Sequence, residues 1–76
     1  MTMIRVFVNA APVDVDAGAT AIECVRHWNG EEAAAIQAGR RLITDSRGLP
    51  IAGEFPARAG SIFRTIANRT SSSQDD

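Results

Sequence analysis

The five residues Ile4, Arg5, Val6, Phe7 and Val8 constrain the fold more than any other stretch of this sequence. Side chains alternate across an extended strand, so Ile4, Val6 and Val8 share one face while Arg5 and Phe7 share the other. A strand of this kind is stable only within a sheet that has one buried face. After a break at residues 9–12, the run from Val13 to Asp16 repeats the alternation with valines inward and aspartates outward. A hairpin is the simplest connection. Asn9 is followed by Ala10, where a tight two-residue turn prefers glycine, so a longer or bulged turn is expected.

The period then switches. Thr20 and Glu23 have the spacing of a capping box, in which hydroxyl and carboxylate each satisfy an orphan backbone N–H at a helix start. Ala21, Cys24, Val25 and Trp28 recur at three-to-four spacing and form one stripe able to cover a sheet. Asn29 and Gly30 interrupt it. One or two further helical turns are expected over residues 31–37, with Glu31 and Glu32 at the positive end, Ile36 as buried anchor and Gly39 closing the C-terminus. Residues 40–45 read as a strand, followed by a turn ending at Gly48 and a short edge segment containing Pro50. Residues 52–60 are loop-like, with Phe55 the large apolar group available to pin them to the core. Residues 61–67 form a strong last strand. From Thr70 no residue is apolar, so a disordered tail over residues 70–76 is expected beyond one domain over residues 1–69.

Composition removes several function classes. The charged fraction is 22% with a formal net charge of −1, which disfavours the broad basic surface of a nucleic-acid binder. No apolar run approaches the roughly 20 residues of a membrane span, and no signal core is visible, so a cytoplasmic location is expected. Cys24 is the one cysteine, and all eight basic residues are arginine. Cys24 and His27 lie three apart on the expected helix, but one thiol and one imidazole supply neither a zinc site nor a complete catalytic set. A small core group at Cys24 and a solvent-facing His27 account for both. No phosphate loop or nucleophile elbow occurs. A non-enzymatic protein without metal or cofactor is therefore expected.

The order of these segments, from Ile4–Val8 through the residue 17–20 stretch Ala-Gly-Ala-Thr to the late strand led by Gly60, resembles the β-grasp layout of ubiquitin. It is most similar to the sulfur-carrier proteins of thiamine and molybdopterin biosynthesis. The resemblance covers roughly Met3 to Ala67. It implies an α+β fold with a mixed four- to five-stranded sheet, the first and last strands parallel at its centre, and one main helix packed across one face. Carriers and modifiers of this family act through a C-terminal Gly-Gly that an adenylating enzyme activates. This sequence ends in Asp75 and Asp76, and its six glycines are never adjacent. The resemblance thus implies a protein-binding module, with a divergent sulfur carrier or modifier, activated at a processed C-terminus, as the alternative.

The uncovered sheet face is the expected place for partner binding. Arg5 and Phe7 share it, beside either Ile62, Arg64 and Ile66 or Phe63, Thr65 and Ala67 of the last strand. With the first set outward, Arg5, Phe7, Ile62, Arg64 and Ile66 form an apolar patch ringed by arginine, a composition common at protein interfaces. The same residues also fit a solvated face on which arginine stems cover apolar atoms. Arg40, Arg41 and Arg47 are expected as a second basic cluster near the helix exit. RNA binding is a third and weaker reading.

Overall fold

The computed structural model describes residues 2–68. The polar tail expected from Thr70 lies outside the described residues. Within them the chain forms strands β1 (Met3–Val8) and β2 (Ala11–Asp16), helices α1 (Ala21–Trp28) and α2 (Gly30–Gln37), then strands β3 (Arg41–Thr44), β4 (Pro50–Ile51) and β5 (Ile62–Ala67). The five strands make one mixed sheet in the order β2-β1-β5-β3-β4. β1 and β5 run parallel at its centre, and the other pairs are antiparallel.

The first turn is tighter than its sequence suggests. Val8 pairs with Ala11, leaving only Asn9 and Ala10 in the loop, with φ of 51° and 70°. Asparagine tolerates this left-handed region, and its side chain fastens the turn to β5. Asn9 Oδ1 accepts the Thr65 N–H at 3.1 Å and its Nδ2 donates to Thr65 Oγ1 at 3.0 Å. Alanine has no such compensation, and left-handed backbone costs it about 1 kcal/mol. This register also directs Ala11, Val13 and Val15 backbone groups toward β1, leaving those of Pro12, Asp14 and Asp16 on the free edge. Proline has no N–H to offer there and the carboxylates repel a further strand, so the edge resists unwanted pairing.

Val6, Val8, Val15, Ile43 and Phe63 pack from the sheet against Ala21, Cys24, Val25 and Ala33 of the helices. Phe63, 2% exposed, is the largest side chain in this core. The further helical turns expected over residues 31–37 are present as α2, equal in length to α1, so two helices rather than one main helix cover the sheet, and Asn29 ends one and starts the other. Its N–H bonds the Val25 carbonyl at 2.7 Å, and its Oδ1 accepts the Glu31 N–H at 2.9 Å. Ala33 and Ala35, rather than Ile36, are the buried anchors of α2; Ile36 is half-buried against the core. Small residues win these positions because they allow the helix to approach the sheet closely. Gly39, at φ 84°, closes α2 with the Arg40 N–H on the Ala35 carbonyl and its own N–H on that of Ile36. This is the paired bond pattern of a Schellman ending.

Phe55 does not pin the loop it belongs to. It is 49% exposed. The loop is instead held because it completes α1: the Ala21 N–H donates to the Phe55 carbonyl at 2.8 Å and the Ile22 N–H to that of Gly53 at 3.0 Å. At Thr20 the capping box is in place, and Glu23 Oε1 accepts the Thr20 N–H at 2.8 Å. The first-turn donors of a helix otherwise lack partners, so an irregular loop supplies what a longer helix would. Buried Ala57, bonded to the Ala19 carbonyl, anchors its far end.

Candidate functional site

Both helices lie on the face lined by Val6, Val8, Phe63 and Ile43. Neither helix covers the opposite face, although Thr44 on it is 2% exposed. β1 places Arg5 and Phe7 on it, and the parallel register sets Phe7 beside Ile62. This settles the facing of β5: Phe63 and Thr65 point into the core, while Ile62, Arg64 and Ile66 point outward. Ile62 and Ile66 are each 43% exposed. β3 contributes Thr44 opposite Arg64 and Leu42 opposite Ile66, and Pro50 of β4 stands beyond Thr44. All five expected residues thus share one surface, and Leu42, which the sequence did not single out, adds an apolar neighbour to Ile66.

The two arginines on this face are not equivalent. Arg5 faces Asp14 across the β1–β2 pair, with Nε to Oδ1 at 2.9 Å and Nη2 to Oδ2 at 3.3 Å. The Arg5 hydrogen bonds, chiefly, hold the Asp14 carboxyl below its ordinary range. Arg64 has no ion-pair partner among the described residues. Phe7, Ala10, Ile62 and Arg64 line a shallow depression of about 310 Å³. It is an apolar hollow with one cation, uncompensated among the described residues, at its rim. Ala10 belongs to this wall because of the tight turn, which an Asn-Ala pair gives little reason to expect.

A larger concavity, about 550 Å³, lies between the β2–α1 loop and α1, lined by Asp16, Gly18, Ala19, Glu23, Arg26 and His27. Its chemistry is weaker despite its size. Glu23 is committed to the Thr20 cap, and the lining has no large apolar side chain to anchor a ligand. The Cys24 and His27 pairing does not form. Cys24 is fully buried in the core, and burial pushes its thiol above the ordinary range, the reverse of an activated nucleophile. His27 is exposed. Among the described residues no group of three or more His, Cys, Asp or Glu could hold a metal ion.

The expected cluster of Arg40, Arg41 and Arg47 is dispersed. Arg41 turns to the helix side, where it pairs with Glu32 and donates to the Thr65 carbonyl at 3.2 Å. Arg47 lies past the opposite end of β3, paired with Asp45 at 3.0 Å. No helix among the described residues is long and apolar enough to cross a membrane. Comparison with known protein families, curated proteins and solved structures gave no match.

Proposed function

We propose that this chain is a ubiquitin-like β-grasp module without catalytic activity that docks a protein partner through its open sheet face. Two lines support the fold reading: parallel β1 and β5 at the sheet centre, and both helices on one side. One observation carries the function. Phe7 beside Ile62 and Leu42 beside Ile66 form two apolar pairs on the helix-free face, with Arg64, unpaired among the described residues, standing between them. Interfaces with a partly apolar centre and an arginine anchor bind through such combinations.

The experiment compares partner recovery by the wild-type chain and by Arg64→Glu and Ile66→Asp variants from native cells, each checked for its thermal midpoint. Arg5 is a poor choice for reversal, since Arg5→Glu would set two carboxylates opposite each other and cost stability. The docking reading expects a stoichiometric partner that both open-face variants lose and that Arg26→Glu, on α1, retains. A partner kept by both open-face variants would sink it. The intact mass of the same material addresses the carrier alternative, which requires a thiocarboxylate or covalent adduct at the C-terminus, delivered by an adenylating enzyme.

A further inference from the structure

We propose that the depression lined by Phe7, Ala10, Ile62 and Arg64 receives a carboxylate flanked by apolar side chains on the partner's chain; this deepens, and rests on, the open-face reading. Asp14 already neutralises Arg5, Glu32 engages Arg41 and Asp45 engages Arg47, whereas Arg64, like Arg26, Arg40 and Arg58, makes no salt bridge among the described residues, and of these four it is Arg64 that lines the apolar hollow. A partner seated on Phe7 and Ile62 strips water from the adjacent guanidinium. Without a compensating anion that desolvation opposes binding, and with a carboxylate it becomes a charge-assisted hydrogen bond. On the next strand Asp14 is spent on Arg5 and Asp16 faces outward, so β2 offers a polyanion no cation. A single carboxylate in an apolar segment therefore fits, and a nucleic-acid backbone does not.

The wall of the depression also holds a strained residue. Ala10 is held at φ 70°, where glycine would be more stable, and the Asn9 side chain clamps the same turn onto β5. Glycine would lower the energy of the fold and remove one methyl from the depression. Strain kept at a surface hollow is characteristic of a binding site whose shape matters.

The test titrates full-length, isotope-labelled protein with two capped peptides, acetyl-Leu-Glu-Val-Leu-amide and its counterpart with Gln in place of Glu. The glutamate peptide should shift the amides of Phe7, Ala10, Ile62 and Arg64, and bind about tenfold more tightly than the glutamine peptide, the weight of one charge-assisted bond. Arg64→Gln should erase that difference without moving the thermal midpoint. Ala10→Gly should raise the midpoint yet weaken the glutamate peptide about fourfold, a separation of stability from binding that a purely structural role for Ala10 would not produce. Equal binding of both peptides at these amides overturns the carboxylate site while leaving the docking face intact. Absence of shifts on the open face with either peptide overturns both.

Discussion

Replacing Asn9 by alanine removes two hydrogen bonds at once, and the geometry states what each loss costs. Thr65 is 8% exposed, and its N–H donates only to Asn9 Oδ1, because the chain turns away at residue 9 and leaves no backbone carbonyl there. An orphaned buried N–H costs about 1–3 kcal/mol. Alanine also tolerates the φ of 51° less well than asparagine, adding about 1 kcal/mol. Asn9→Ala should therefore destabilise the fold by roughly 2–4 kcal/mol, a large share of the roughly 4–11 kcal/mol expected for a chain this long. Asn9→Asp should behave differently. Its carboxylate still accepts the Thr65 N–H, and the Thr65 hydroxyl, which accepts from Asn9 Nδ2 in the wild type, rotates to donate instead. A loss below about 1 kcal/mol is expected at neutral pH. Urea unfolding of the three proteins, followed by circular dichroism, reads both values from midpoints and slopes. Asn9→Ala within about 0.5 kcal/mol of wild type would refute the clamp, as would Asn9→Asp and Asn9→Ala being equally damaged.

Three further outcomes follow from contacts elsewhere. A Cβ added at Gly53 would stand 3.2 Å from the Ile22 Cβ, so Gly53→Ala should cost about 1–2 kcal/mol in urea unfolding by pushing the loop off the first turn of α1. Glu32→Ala leaves the half-buried Arg41 guanidinium with only the Thr65 carbonyl among the described residues, and should lower stability by about 1–2 kcal/mol in the same assay. Acid should weaken the fold through three carboxylates held below their ordinary range: Asp45 by the Leu49 N–H first and then by Arg47, Asp14 by Arg5, and Glu23 by the Thr20 N–H. Because their folded pKa values are depressed, the stabilisation is complete above the unfolded carboxylate range of about pH 4 and disappears as pH falls through the folded values. Urea midpoints at neutral and acid pH should show that loss, and Asp45→Asn should make it smaller.

Much of the sheet was legible in the letters, and the exceptions share a cause. The alternation from Ile4 to Val8 declared its two faces because only one of them is uniformly apolar. β5 did not, since Ile62 and Phe63 are adjacent and both large; only pairing with Phe7 and Val8 decides which is buried. Arg5 and Arg64 looked alike for the same reason. The aspartate that neutralises Arg5 is nine residues away, and a tight turn, reached only by placing alanine at positive φ, brings them opposite. Phe55 misled because size suggests burial, while the loop's role is carried by backbone carbonyls that no side-chain pattern records. The capping box and Gly39 were readable because each acts within a few residues of its partner.

The docking claim is tested most directly by mapping the amide shifts of the labelled chain when its co-purified partner is added. The account predicts changes at Phe7, Leu42, Ile62, Arg64 and Ile66, with the amides of Ile22, Arg26 and Ala34 on the helices unmoved. A footprint on α1 and α2, with the open face unchanged, would contradict it.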